Sequence, residues 1–166
     1  MTYKLLRIGP GEIKPVYEIL KLCGQDMKSK LGLTHWYPPY PIRLFRKDAE
    51  ERSVYTVTEE DQIIATFTID TRPLEYYYPT LWRYPEHKAM YVSHLSVLPK
   101  LQGKGIGSWC MNEIENLAID LSCRAVRLDA YEKYEQLLQF YDKLGYKRRK
   151  IVKFQGLNLV CFEKII

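Results

Sequence analysis

Residues 89–121, AMYVSHLSVLPKLQGKGIGSWCMNEIENLAIDL, set the architecture of the chain. The segment opens as a strand. Met90, Val92, Leu95, Val97 and Leu98 supply apolar and β-branched side chains, and no Gly or Pro intervenes before Pro99 ends the run. Gln102-Gly103-Lys104-Gly105-Ile106-Gly107 follows as a turn. From there Ile106, Trp109, Cys110, Glu113, Ile114, Leu117 and Leu121 recur at steps of three and four, all apolar but Glu113, which predicts a helix. Strand, glycine turn and helix in succession make an anion site. The glycines let the backbone turn tightly and approach an oxyanion. The N–H groups of the helix's first turn point at it, and the helix dipole adds to the attraction.

Three glycine-loop chemistries compete for such a segment. A P-loop requires G-x-x-x-x-G-K-[ST], and no Lys-Ser or Lys-Thr follows these glycines. A dinucleotide fingerprint requires G-x-G-x-x-G, usually near the chain start, whereas Gly103, Gly105 and Gly107 are spaced G-x-G-x-G two-thirds of the way along. The third pattern, Q/R-x-x-G-x-G/A, fits Gln102, Gly105 and Gly107. With that loop, and with the preceding strand in LSVLPKLQGKGIG, the chain resembles the GNAT superfamily of acyl-CoA-dependent N-acetyltransferases, in which this loop holds the pyrophosphate of coenzyme A. The plain alternative is a turn that packs a helix on a sheet and binds nothing.

Length and composition frame the rest. The 166 residues are enough for one domain with a sizeable core. Apolar residues make up 46% and charged residues 27%, ordinary for a globular protein, and no run approaches a membrane span. Met1–Lys14 lacks a signal-peptide core, so a cytoplasmic location is the expectation. The net charge of +5 is modest. Only Lys147-Arg148-Arg149-Lys150 forms a basic block, which reads as a solvated edge rather than a nucleic-acid patch. Cys23, Cys110, Cys123 and Cys161 show no C-x-x-C spacing, so buried thiols are expected and no metal site.

Apolar periodicity and turn residues place the other elements. They predict strands at 3–8, 53–58, 63–70, 125–130, 147–154 and 157–164, and helices at about 12–28, 41–52 and 135–144. Residues 71–88 form a long loop rich in Tyr, Pro and Trp, of the kind that covers a site. The order β-α-α-β-β-β-α-β-α-β-β is that of a mixed α/β layer fold. It matches the GNAT order over the whole chain and implies a central mixed sheet flanked by helices in one domain, 1–166.

The resemblance implies where the chemistry sits. Acetyl-CoA is the expected cosubstrate and a primary amine the acceptor. Backbone groups of Leu95 and Val97 pair with the pantetheine arm as an added strand would. Gln102, Gly103, Lys104, Gly105, Ile106, Gly107 and Ser108 cradle the pyrophosphate, and Lys100 and Lys104 add positive charge. The amide of Leu95 or Ser96 polarises the thioester carbonyl. Phe140-Tyr141-Asp142-Lys143-Leu144-Gly145-Tyr146 matches the family's F-Y-x-K-x-G-[FY] segment, so Tyr141 inherits the role of general acid to the leaving thiolate. A core tyrosine on an apolar helix face is the competing reading. Many members carry Asn seven residues before this Tyr. Here Tyr134 stands there, and no role is assigned to it.

A base is harder to find. Several members place Glu on the central strand, but Tyr91–Val97 contains no acid. His94 is the group there that titrates near neutral pH, and strand alternation sets it opposite Leu95 with Val92 and Ser96. Its competing reading is a packed histidine. Asp129, Glu132 and a water chain are the alternatives. In this fold the acceptor is shaped by the first helix pair and the loop before the central strand, here His35–Tyr40 and residues 71–88. Both are aromatic, which suits an apolar or cationic amine, and Glu75 and Glu86 would attract a cation. A small amine or amino acid is the first choice and a peptide or protein N-terminus the second. The same tyrosines would equally pack a loop core or a dimer interface. Leu157, Leu159, Val160 and Phe162 fit a homodimer contact or core. The rival functions are a non-catalytic acyl-CoA-binding module and, remotely, nucleic-acid binding through Lys147–Lys150.

Overall fold

Gly, Pro and polar pairs punctuate the chain where the elements end. In a computed structural model, which describes residues 2–166, the elements are β1 (Lys4–Ile8), α1 (Ile13–Leu31), α2 (Ile42–Glu51), β2 (Ser53–Glu59), β3 (Gln62–Asp70), β4 (Ala89–Val97), α3 (Ile106–Asp120), β5 (Ala125–Tyr131), α4 (Glu135–Lys143), β6 (Lys147–Phe154) and β7 (Leu157–Ile165). Short 3-10 turns at Pro10–Glu12, Pro79–Leu81 and Pro99–Leu101 each begin at a proline, whose fixed φ suits a first helical position. Gly32, at φ 66°, closes α1 in the left-handed conformation. The β2–β3 hairpin turns on Glu60 and Asp61, both at positive φ, although no glycine is present to signal it.

The strand order is β1-β2-β3-β4-β5-β7-β6. β4 and β5 are parallel, while β1–β2, β2–β3, β5–β7 and β6–β7 are antiparallel. The mixed α/β sheet with four α-helices is therefore the class that the sequence implies.

The chain divides into two compact units. The first holds residues up to Ile69 and His94–Met111. Its core joins Ile13, Val16, Tyr17 and Leu20 of α1 with Phe45 and Ala49 of α2, Ile8 of β1 and Val54 of β2. The second holds Asp70–Ser93 and Asn112–Ile166. There Tyr77, Leu81 and Trp82 of the segment before β4 pack with Ala89, Tyr91, Ala125, Val152, Leu159 and Cys161. β4 and α3 both run from one unit into the other.

Tyr77, Leu81 and Trp82 of the 71–88 segment are thus packed in a core, the plainer of the two expectations for its aromatic residues, whereas Tyr78 and Tyr84 are exposed. The apolar face of α3 also differs by a small rotation. Ile106, Cys110, Met111, Ile114 and Ala118 are buried, whereas Trp109 is half-buried and Leu121, just past the helix, is exposed. Met111 and Ala118 complete a stripe that the spacing of Trp109 and Leu121 had drawn one position away. All four cysteines are buried. Leu159, Val160 and Phe162 are core residues of the last hairpin.

Candidate active site

The glycine loop lies between β4 and α3 in the first unit. Gly103 and Gly105 have φ of 77° and 87°, which L side chains rarely adopt. A Cβ at either position would meet no atom within 4 Å, so the loop faces open space. The intrahelical ladder of α3 begins with the Trp109 N–H donating to the Gly105 carbonyl, 3.0 Å away. The N–H groups of Ile106, Gly107 and Ser108 therefore precede the ladder and have no intrahelical acceptor. Lys100, Gln102, Lys104 and Ser108 are exposed. Open glycines, unclaimed helical N–H groups and two exposed lysines fit a phosphate group.

Gln102 also ties the loop back to its strand, since its Nε2 donates to the Val97 carbonyl at 3.0 Å. The Cys23 thiol of α1 donates to the same oxygen at 3.2 Å. Both lone pairs of that carbonyl are thus taken, and Val97 has only its N–H left to offer a ligand. The Leu98 N–H donates to Ile64 of β3. Because peptide groups alternate along a strand, those of Val97 point to the other edge of β4. β4 pairs with β5 only over Ala89–Tyr91. Burial pushes the Cys23 thiol up to about 12, so it remains a neutral donor.

His94 breaks β4. Its φ is 54°, a left-handed residue inside a strand, which histidine tolerates better than most. Simple alternation with Val92 and Ser96 does not carry through it. Its ring packs with Tyr40, Trp36 and Phe45 at centroid distances of 4.4, 6.0 and 6.4 Å. Burial holds the imidazole well below its ordinary range, at about 4, and the Arg52 charge works in the same direction. Nδ1 is buried without a hydrogen-bond partner, and Asp48 Oδ2 lies 3.9 Å from it.

Local sequence explains this cluster. Gly24 lets the chain bearing Trp36 cross α1 closely, because a Cβ there would clash with the Trp36 carbonyl oxygen. Tyr17 of α1 holds the Tyr40 carbonyl through its hydroxyl, and the Tyr40 hydroxyl donates to Asp48 Oδ2 at 3.0 Å. Asp48 sits between Phe45 and Ala49, the buried residues of α2. Burial raises its carboxyl above the ordinary range against the hydrogen bond from Tyr40. Asp48 is the residue of this cluster that the sequence did not single out. An acid three positions after Phe45, on the apolar face of a short helix, was the signal.

The second unit holds the other expected residues. Tyr141 of α4 is buried, with its ring against Phe140, Tyr146 and Phe162 at 5.1, 5.9 and 5.4 Å. Asp129 of β5, an alternative base, accepts hydrogen bonds from Tyr76 at 2.8 Å and Tyr77 at 2.5 Å, and burial raises its carboxyl. Glu132, the other alternative, accepts from Asn158 Nδ2 at 2.9 Å. Both acids are committed to neighbours. A cavity of about 270 Å³ is lined by Tyr77, Tyr78, Trp82, Tyr91, Arg127 and prolines of the 71–88 segment. Arg127 is buried and bonded to Glu163, the Tyr91 hydroxyl and the Tyr84 carbonyl.

Comparison with known proteins gives the family and the fold. The model of the Acetyltransferase (GNAT) family matches residues 13–146. The chain belongs to that family. A GNAT acetyltransferase from Listeria monocytogenes has a TM-score of 0.76 at 19% identity, over 99% of this chain and 95% of its own. PaiA N-acetyltransferase from Thermoplasma acidophilum, solved in complex with coenzyme A, has a TM-score of 0.76 at 12% identity over the whole of both chains. These two share the fold. A stretch of 38 residues is 47% identical to the Histone acetyltransferase type B catalytic subunit of Arabidopsis thaliana, but it spans 23% of this GNAT chain and only 8% of that protein. Among the described residues no helix is long and apolar enough to cross a membrane, and no three His, Cys, Asp or Glu side chains are grouped to hold a metal.

Proposed function

We propose that this GNAT protein acts as a single domain transferring an acetyl group from acetyl-CoA to the primary amine of a small molecule or peptide, by direct attack. The observation that carries the reading is the open glycine loop, left-handed at Gly103 and Gly105, feeding straight into the start of α3. Backbone N–H groups of Gly103–Ser108 take the pyrophosphate, with the Gln102 N–H held by the Pro99 carbonyl and Lys100 and Lys104 adding charge. The Val97 N–H and the Leu95 backbone take the pantetheine arm. The Leu95 or Ser96 amide, next to the left-handed His94, donates to the thioester oxygen as negative charge develops there.

The amine nitrogen forms its bond to the acyl carbon, and the carbon–sulfur bond breaks. Tyr141 gives its phenolic proton to the departing thiolate and recovers one from solvent. His94 takes the proton from the amine. Support for an amine with an apolar or cationic body comes from Trp36 and Tyr40, which flank His94.

The test is acetyl-CoA-dependent thiol release against polyamines, amino acids, aminoglycosides, aromatic amines and short peptides, with the melting shift on acetyl-CoA recorded in parallel. Release with one amine class is the expected result. A melting shift without release from any amine favours a non-catalytic acyl-CoA-binding module. Absence of both release and melting shift would overturn the glycine-loop assignment.

A further inference from the structure

Asp48 and His94 present an arrangement that the transfer reaction does not require of the fold. His94 Nδ1 is buried and has no hydrogen-bond partner, and the closest carboxylate oxygen recorded to it is Asp48 Oδ2 at 3.9 Å. The His94 side chain as a whole keeps 19% exposure, so the exposed part of the ring is not Nδ1. Asp48 is itself 17% exposed and anchored by the Tyr40 hydroxyl at 3.0 Å. The separation is about 1 Å beyond a hydrogen bond, and such contacts are commonly long until substrate is bound.

We infer that Asp48 is the positioning residue of an Asp48–His94 pair in which Nδ1–H is directed at Asp48 and Nε2 receives the proton of the acceptor amine. The pair replaces the acid that β4 lacks: the carboxylate arrives from α2 instead. A carboxylate facing Nδ1 fixes the tautomer with its lone pair on Nε2. It also stabilises the imidazolium once the amine proton has been taken. The proton balance closes when His94 releases that proton to solvent after the thiol leaves.

The charged and titratable groups that act on the pair come from three directions. Lys47 and Glu51 of α2 and Arg52, just past its end, act on Asp48, and Arg52 acts on His94 as well. Tyr40 donates from the loop before α2. From α1, the neutral Cys23 thiol faces the Val97 carbonyl rather than the imidazole.

This inference rests on the acetyltransferase reading, and its test separates the two. The amine found active with the wild type is used to measure kcat/KM for wild type, Asp48→Asn and His94→Gln from pH 7 to 9.5. Asn retains the acceptor for the Tyr40 hydroxyl, and melting curves confirm folding. The expected result is a loss of about 100-fold at pH 7 in either variant. The loss should shrink as pH rises, because a free amine no longer needs a base. The double variant should be no worse than the single ones, as for groups acting as a unit. An unchanged rate in Asp48→Asn overturns the pairing. So does a loss of the same factor at every pH, which is what a merely structural Asp48 would give. Wild-type inactivity with every amine would instead count against the acetyltransferase reading.

Discussion

Burial keeps the His94 imidazole neutral, with a pKa of about 4 against an ordinary value near 6.5. The folded protein therefore binds this proton less readily than the unfolded chain. Stability from that difference is whole above about pH 6.5 and drains away as pH falls toward 4. From pH 7 to pH 5 the wild type should lose about 2 kcal/mol more than His94→Gln in urea melts at each pH. Asp48, whose raised carboxyl titrates with the opposite sign, is present in both proteins. Equal pH dependence would contradict the neutral, desolvated imidazole. Tyr141 poses a different question, since its ring is already explained by packing. Tyr141→Phe keeps the ring packing and removes the hydroxyl that would supply the proton. It should lower kcat by about 100-fold while leaving the melting shift on coenzyme A unchanged. Unaltered kcat would return Tyr141 to the role of a core residue.

The strand–loop–helix of residues 89–121 is the element most fully written in the sequence. Pro99 ends the strand, and two of the three glycines sit at left-handed positions that few other residues tolerate. Substituting Gly105 by Val strains a φ of 87° and sets a side chain on the open face of the loop. Coenzyme A should bind at least tenfold more weakly to Gly105→Val by calorimetry, with Tyr141→Phe unaffected. Equal affinity would place the pyrophosphate elsewhere. Other elements were only partly legible. Periodicity drew the buried face of α3 through Leu121 because it counts apolar spacing, and Met111 and Ala118 turned out to lie deeper. Residues 71–88 look like a loop to any pattern of strands or helices. Their order comes from Tyr77 and Trp82 packing with Tyr91, a contact that local sequence does not encode. The left-handed turn at His94 is likewise invisible to alternation, because nothing in Ser93-His94-Leu95 marks a bulge.

Across the whole molecule, the element order was legible because turns and prolines separate the runs cleanly. Pairings between distant residues were not. Arg127 in β5 and Glu163 in β7 are charged residues in apolar strands, and the register sets them opposite each other. They are 1% and 0% exposed and joined at 2.9 Å, and Glu163 also accepts from the Arg83 N–H and Arg149 Nε. Glu163→Gln would leave buried Arg127 without its counter-charge. A loss of about 3–5 kcal/mol is expected in chemical denaturation, whereas a change below about 1 kcal/mol would show that the pair contributes little. Asp48 belongs with these pairings, since only the folding of α2 brings it to β4. Amine-dependent thiol release from acetyl-CoA, measured for wild type beside Gly105→Val, tests the central claim most directly. Release that requires one class of amine and falls sharply in the variant is the predicted result. Release that is absent with every amine, or indifferent to Gly105, would contradict it.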